Sequence, residues 1–212
     1  MSYSDTIIDI SYTTIITGTF DDVRDAGIHA VMHKAGYGLK TPDPGYLNNR
    51  DKAMEAGLLW GAYHVGTKTG SGKEQAGDFL ATVRAGSPKA KTLLALDFER
   101  NEKNWTNSMT PEQAEDFVSS IHAQTGIHPV VYGRGTLARS VEKNPGSLLT
   151  KCPLWLAHYD EYAPTPPSGW DRCMIWQYTE KGSVGKAIAY CDRDRFNGTV
   201  EELQRFWDSH SI

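Results

Sequence analysis

The sequence predicts an α/β protein, because short apolar segments alternate with helical segments over its first two-thirds. Three later apolar segments lie too close together for helices to fit between them. Eight strands with helices after the early ones only predict a TIM-like β/α barrel whose late helices are missing. An open doubly wound sheet is the alternative, since alternation alone does not prove closure. The predicted strands are 7–10, 28–33, 58–64, 92–99, 128–132, 153–157, 173–178 and 187–190, and the predicted helices are 20–27, 46–56, 73–85, 111–125, 134–141 and 200–209.

Capping signals mark several of these helix boundaries. Gly27 closes the first predicted helix and Gly57 follows the second, at positions where glycine commonly ends a helix. Thr110 is placed to cap the fourth helix, with Pro111 at its first position and Gln113 completing a capping box. The alternation of strands and helices therefore has local support at both ends of its helices.

The composition predicts one globular domain covering residues 1–212, with 39% hydrophobic and 23% charged residues. A net charge of -4 and a pI near 6.0 do not provide the positive charge that nucleic-acid binding needs. No apolar run approaches the roughly 20 residues of a membrane-spanning helix. We therefore expect a monomer with neither a nucleic-acid partner nor membrane insertion.

Targeting and redox signals are sparse. The first residues contain neither the basic nor the apolar region of a signal peptide, so we expect a cytosolic protein or the mature part of a longer one. Cys152, Cys173 and Cys191 are predicted to be buried thiols, with one disulfide and a free thiol as the alternative. The seven histidines are dispersed without metal-binding spacing, so no metal site is predicted.

The fourth predicted strand ends in two carboxylates, Asp97 and Glu99, separated by Phe98. On a strand, residues i and i+2 point to the same face with Cα atoms about 6.6 Å apart. Two like charges at this distance disfavour joint ionisation, so one carboxyl is expected to hold a proton near neutral pH. This pair suits acid-catalysed glycosyl chemistry, although solvated acids are also common at strand ends.

Other polar and aromatic residues fall at the predicted strand ends, which is the catalytic face of a β/α barrel. Sugar rings present flat apolar faces edged with hydroxyls, so a carbohydrate site needs aromatic platforms beside carboxylates and amides. Trp60, Trp155 and Trp176 lie within strands and are predicted to pack in the core. His33 and His64 are predicted to be buried, with hydrogen bonds to Asp9 or its neighbours. The candidates at the strand ends include Asp9, Tyr63, Asp97, Glu99, Tyr132, Tyr159, Gln177 and Asp192.

In order and spacing, several motifs resemble the glycoside hydrolase family 25 lysozymes, also called Chalaropsis-type muramidases. They span nearly the whole chain and include Asp9-Ile10-Ser11, Gly61-Ala62-Tyr63-His64, Leu96-Asp97-Phe98-Glu99, Val131-Tyr132, Leu154-Trp155-Leu156-Ala157-His158-Tyr159, Ile175-Trp176-Gln177-Tyr178 and Asp192-Arg193-Asp194-Arg195-Phe196-Asn197-Gly198. The resemblance implies a barrel of eight strands and about five helices. It also implies hydrolysis of the β-1,4 bond between N-acetylmuramic acid and N-acetylglucosamine in peptidoglycan, without a metal or organic cofactor.

The resemblance implies roles for the candidate residues. Glu99 is expected to be the general acid, and Asp97 the nucleophile, the stabiliser of positive charge, or the group that positions the substrate's acetamido group. Asp9 and Asp192 are expected to complete the acidic site. The expected sugar contacts are Tyr63, Tyr132, Tyr159 and Gln177.

Two other functions fit the same residues. One is hydrolysis of chitin-type N-acetylglucosamine polymers, and the other is glycan binding without catalysis. The leading prediction is a muramidase, either a phage-type endolysin or an exported bacterial lysozyme, that acts on the cell wall in the periplasm or outside the cell. With no signal peptide visible, release by lysis or another export route is expected, or the chain is a mature form.

Overall fold

The computed structural model describes residues 3–86, 91–101 and 104–212. Eight strands form a closed barrel in the order β1 to β8. Neighbouring strands from β1 to β7 are parallel, whereas β8 runs antiparallel to both β7 and β1. The predicted barrel is thus confirmed. The strands are β1 Tyr3–Ile10, β2 Ala30–Tyr37, β3 Leu59–Val65, β4 Thr92–Asp97, β5 Val130–Gly133, β6 Leu154–Ala157, β7 Ile175–Val184 and β8 Ile188–Asn197.

Helices connect only the early strands, as predicted. Five lie between β1 and β6: α1 Phe20–Asp25, α2 Tyr46–Glu55, α3 Gly72–Arg84, α4 Pro111–Thr125 and α5 Gly135–Lys143. After β6 the chain returns by a loop and a β7–β8 hairpin, and α6 Val200–His210 follows β8. The capping box predicted at Thr110 is present, since its side chain accepts from Gln113 N and the Gln113 side chain from Thr110 N.

The predicted last two strands are much too short. The β7–β8 hairpin continues through residues 179–186, whose polar composition is typical of a loop. The strand pattern is hidden there because much of this ribbon is exposed and its residues need no apolar alternation. None of the helices in the described residues covers this side of the barrel. Instead the Arg195 guanidinium lies over Tyr178 and Trp176, at 4.1 and 4.9 Å from the ring centroids.

The buried apolar residues form two layers. One fills the space between helices and barrel, and the other fills the barrel interior. Leu203, Phe206 and Trp207 of α6 belong to the interior layer and close the end where the parallel strands begin. Trp207 Nε1 donates to the carbonyl oxygen of Trp60 at 2.9 Å. The opposite end of the barrel is left for a site.

The predicted environments of the tryptophans and cysteines are confirmed. Trp60, Trp155 and Trp176 are each at most 2% exposed. The three cysteines are buried free thiols. None of the helices in the described parts of the chain is long and apolar enough to cross a membrane.

Candidate active site

The barrel places most of the predicted site residues at one end, where β1 to β7 finish. Asp9, Tyr63, Asp97 and Tyr132 lie at or near the last residues of their strands. Gln177 lies in β7 beside Ala157, the last residue of β6. Carboxyl ends of parallel strands meet at the same edge, so these side chains share one opening.

Asp192 reaches this opening for a different reason from the one predicted. It does not follow the eighth strand but lies within β8, paired directly with Asp9 of β1. Because β8 is antiparallel, the first half of this strand, not its end, lies at the mouth of the barrel. The predicted strand-end position was wrong, although the predicted proximity to Asp9 is present.

A hydrogen-bond network joins three of the predicted sugar contacts to Asp9. The Tyr132 and Tyr159 hydroxyls donate to Gln177 Oε1 at 2.9 and 2.8 Å. Gln177 Nε2 donates to Asp9 Oδ2 at 2.7 Å. Gln177 is buried, whereas Tyr159 comes from the loop after β6 and is 40% exposed. Gln177 therefore holds the position of Asp9 from below, and Tyr159 extends the network to the surface.

Asp97 and Glu99 lie close together but not on one strand. β4 ends at Asp97, and Glu99 lies beyond it at a bend, so the predicted strand placement of Glu99 was wrong. The chain stays beside β5 because Phe98 N donates to the Tyr132 carbonyl oxygen at 2.9 Å. Burial raises the pKa of Asp97 well above its usual value, the charge of Glu99 adds to the rise, and the Lys34 ammonium opposes it. The buried Asp97 therefore has a raised proton affinity.

A second group of carboxyls lies across the opening. Burial raises the pKa of Asp9 well above its usual value; the charges of Asp194 and Asp192 add to this, and the hydrogen bond from Gln177 opposes it. Burial also raises the pKa of Asp192. Three acids therefore share this side of the site.

Two of the residues that the structure brings to the site were not predicted to be catalytic residues or sugar contacts. Asp194 is fully buried, two residues after Asp192 on the same face of β8. The spacing Asp192-x-Asp194 could have indicated two carboxyl groups on one face of a strand, but the predicted eighth strand ended at residue 190, before Asp194. Lys34 lies in β2 with its Nζ 4.0 Å from Asp43 Oδ2 and 5.6 Å from the Tyr12 ring centroid, and it brings a positive charge to a mostly acidic opening.

The two strand histidines are buried, as predicted, but neither is bonded to Asp9. His33 Nδ1 contacts the Lys34 carbonyl oxygen at 2.7 Å, and its Nε2 contacts Asn49 Nδ2 at 3.0 Å. His64 Nε2 lies 3.4 Å from Gln75 Oε1. Burial lowers the pKa of His64 to about 4, so this ring is neutral at physiological pH and serves the packing between the barrel and α3.

A cavity of about 480 Å³ adjoins Asp9 and Asp192. Tyr63 lies at its base, and Ile15 and Tyr190 lie on its rim, where they are 75% and 60% exposed. Apolar and aromatic surface beside carboxyl groups is suited to sugar rings. In residues 3–86, 91–101 and 104–212, no group of three or more His, Cys, Asp or Glu side chains is arranged to hold a metal ion.

The closed barrel and the carboxyl groups at its mouth are those of the glycoside hydrolase class. The model of glycosyl hydrolases family 25 matches residues 8–187, and the chain belongs to this family, as its sequence predicted. Lysozyme M1 of Streptomyces globisporus is 28% identical over 191 residues, which are 87% of this chain and 65% of the relative. The uncharacterized protein YegX of Escherichia coli K12 is 31% identical over 188 residues, covering 88% of this chain and 66% of YegX. The chain thus spans just under two-thirds of the length of these relatives.

The fold is also similar to those of solved lysozyme and muramidase structures. The bacterial lysozyme from Streptomyces coelicolor is similar with a TM-score of 0.81 and 27% identity, covering 98% of this chain and 99% of that one. A muramidase from Trichobolus zukalii has a TM-score of 0.80 and 26% identity, covering 97% and 100% of the two chains. The modified barrel is therefore shared along almost the whole length of these proteins.

Proposed function

We propose that residues 1–212 form a single catalytic domain that hydrolyses the β-1,4 bond between N-acetylmuramic acid and N-acetylglucosamine in peptidoglycan. The observation that carries this proposal is the interacting pair Asp97 and Glu99 at the barrel mouth, opposite Asp9 and Asp192, in a family 25 chain. The similar proteins that are called lysozymes or muramidases support the choice of substrate. The site of action is the cell wall, reached by secretion or release.

Glu99 is the general acid in this proposal. It lies beyond the end of β4 and is less buried than Asp97, so it can reach a glycosidic oxygen held across the opening. Its proton passes to that oxygen as the bond to the anomeric carbon breaks. A water molecule then supplies the hydroxyl that replaces the leaving sugar, and the other proton of this water returns to Glu99.

Asp97 is assigned to the sugar that carries the developing positive charge. Its Oδ1 is buried and has no hydrogen-bond partner among the described residues, which leaves an acceptor ready for a substrate N–H. An acetamido N–H bound there is held beside the anomeric carbon. Asp97 thus orients the acetamido group and, when ionised, stabilises positive charge at that carbon.

The Tyr132–Gln177–Asp9 network forms the rigid floor of the site. Gln177 has its oxygen and one N–H engaged by protein groups, so its part in sugar binding is to fix Asp9 and the hydroxyl of Tyr159. Tyr63 and Tyr159 then provide the ring and hydroxyl surfaces that the sugars contact.

The test is the digestion of purified peptidoglycan with reducing-end release and mass spectrometry of the products. The wild-type chain is expected to release fragments with reducing muramic acid, and Glu99→Gln to lower the rate about 10²- to 10⁴-fold without loss of fold. Glu142→Gln on the exposed surface of α5 is the matched control and should keep the wild-type rate.

Three results would contradict parts of the proposal. Full activity of Glu99→Gln would remove the acid assignment. Cleavage of chitin oligosaccharides but not of peptidoglycan would assign the other substrate class. Binding of cell walls by the wild-type chain with no new reducing ends would indicate a glycan-binding barrel.

A further inference from the structure

Three cations lie around the acidic opening of the barrel, each over an aromatic ring. Lys34 is also held 4.0 Å from the carboxylate of the buried Asp43. Among the ion pairs of the described residues, none includes either of the two arginines, so their charges are not neutralised by a carboxylate. The cations are Lys34 over Tyr12, Arg100 over Trp105 and Arg134 over Tyr159, at 5.6, 5.8 and 5.2 Å from the ring centroids.

Arg134 lies on the side of the opening that holds the Asp97 carboxyl group. It follows Gly133, the last residue of β5, and precedes α5. Tyr132, two residues earlier, pairs with Asp97 of β4. A Cβ on Gly133 would lie 2.8 Å from the Phe98 carbonyl oxygen, so the end of β5 packs directly against the segment that leaves β4. Since neighbouring strands are about 4.8 Å apart, the long side chain of Arg134 starts close to the proposed sugar site.

The aromatic partner of Arg134 belongs to the site itself. The Tyr159 hydroxyl donates to Gln177 Oε1 at 2.8 Å, and Gln177 in turn holds Asp9, so this ring is anchored in the site. A guanidinium over a ring face keeps N–H groups at its edge for other partners. Arg134 is exposed, and the first turn of α5 contains no acidic residue that could neutralise it. An available cation therefore lies beside the sugar site.

The substrate class in the proposed function supplies an anion at a matching place. Muramic acid differs from N-acetylglucosamine by a lactyl ether on O3 that ends in a carboxyl group. The acetamido group and this ether are on adjacent ring carbons. With the acetamido N–H bound at Asp97, the O3 substituent thus lies within the length of an arginine side chain of Asp97. A guanidinium binds a carboxylate through two parallel N–H···O hydrogen bonds.

We propose that Arg134 is a substrate-binding residue that recognises a carboxylate on the O3 substituent of muramic acid and thereby favours muramic acid over N-acetylglucosamine. This proposal rests on the proposed function, because that function places the sugar at Asp97. The carboxylate is the lactyl group's own in glycan without peptide stems, or that of an acidic stem residue in intact peptidoglycan. The carboxyl groups of the opening disfavour an anionic substituent, and the Arg134 charge offsets this repulsion.

The test compares three substrates with the same sugar backbone. They are purified peptidoglycan, glycan strands freed of their stems by an amidase, and the same strands after carbodiimide coupling to methylamine, which converts the lactyl carboxylate into a neutral amide. For a substrate whose carboxylate it binds, Arg134→Gln should lower kcat/KM about five- to thirtyfold, mainly through KM. The neutral strands should stay within about twofold of wild type, because they have no charge to lose.

Two further variants sharpen the comparison. Arg134→Lys keeps the charge without the paired N–H groups, so it should retain part of the preference for the charged substrate. Arg205→Gln is the matched control, because Arg205 is exposed on α6 at the closed end of the barrel, and it should leave all three rates unchanged. A loss confined to the charged stem-free strands assigns the lactyl carboxylate, and a loss confined to intact peptidoglycan assigns a stem carboxylate.

Equal losses on all three substrates would overturn the proposal, since they would mean that Arg134 only supports Tyr159. No loss on either charged substrate would also overturn it. Calorimetry in a Glu99→Gln background gives a readout without turnover: Arg134→Gln should raise Kd for the charged substrate by the same factor and for the neutral strands by less than about twofold. If the wild-type chain cleaves none of the three, the proposed function fails, and the Kd values for charged and neutral strands still decide whether Arg134 binds the carboxylate.

Discussion

The substitution Gln177→Glu changes one group at the centre of the site and preserves its shape. Oε1 of Gln177 accepts two tyrosine hydroxyls, and a carboxyl group can accept both in the same way. The Nε2 donor to Asp9 Oδ2, at 2.7 Å, is replaced by an oxygen that repels Asp9 when both are ionised. The variant thus removes the donor to Asp9 and leaves the packing of the site almost unchanged.

The expected loss of kcat/KM follows from the strength of the hydrogen bond between Gln177 and Asp9. A bond to a charged group contributes about 1.5–3 kcal/mol, and each 1.36 kcal/mol is tenfold in rate. If Asp9 must be held in place for catalysis, kcat/KM should fall about ten- to a hundredfold at pH 7. A proton shared between the new carboxyl and Asp9 restores the donor, so the deficit should shrink as the pH is lowered.

The assay is reducing-end release from purified peptidoglycan between pH 4.5 and 8, with guanidinium unfolding in parallel. Gln75→Glu is the matched control, because Gln75 is also buried and its Nε2 donates to the Thr67 carbonyl oxygen at 2.8 Å and not to a carboxyl group. It should lower the free energy of unfolding and leave kcat/KM of the folded protein unchanged. Wild-type kcat/KM for folded Gln177→Glu at pH 7 would refute the idea that Gln177 positions Asp9.

Two stability predictions concern the packing around the barrel. A Cβ at Gly72 would lie 1.9 Å from the Gln113 carbonyl oxygen, so Gly72→Ala must push α3 and α4 apart and should lower the free energy of unfolding by about 1–3 kcal/mol in urea. Gly77→Ala in the same helix meets nothing within 4 Å and should be neutral or stabilising by up to about 1 kcal/mol; equal effects of the two would contradict this. Trp207→Ala should cost about 3–5 kcal/mol because it empties the closed end of the barrel. Trp105→Ala, at a residue that is 65% exposed, should change stability by less than about 0.5 kcal/mol, and a melting temperature unchanged by Trp207→Ala would show that α6 does not close the barrel.

Local signals predicted most of the fold correctly. The capping box at Thr110 is encoded within four residues, and the buried strand before Asp97 is an apolar run without helical periodicity. Such patterns depend on neighbours in the chain, which is why the early helices and strands could be located. The full length of the hairpin 175–197 was not predicted, because its polar stretch is exposed and has no apolar alternation.

The site was only partly predictable, because sequence patterns show only groups that are near one another in the chain. Asp97 and Glu99 stand out because they are adjacent to one strand end. Asp194 did not, since its importance comes from complete burial among groups on β1, β6 and β7, which are distant in sequence. Hydrogen bonds from His33 and His64 to Asp9 were also wrongly predicted, because the side chains that contact these histidines come from α2 and α3 and not from β1.

The sequence by itself determined the alternation of elements, the barrel class, the paired carboxyls and the family, since each rests on short-range patterns or on ordered motifs. Only the tertiary structure decided that β8 runs antiparallel, which brings Asp192 to Asp9 from the middle of a strand. It also decided that Gln177 holds Asp9 and that Asp194 lies buried beneath both. Strand direction and burial are set by closure of the whole sheet, and no local segment contains that information.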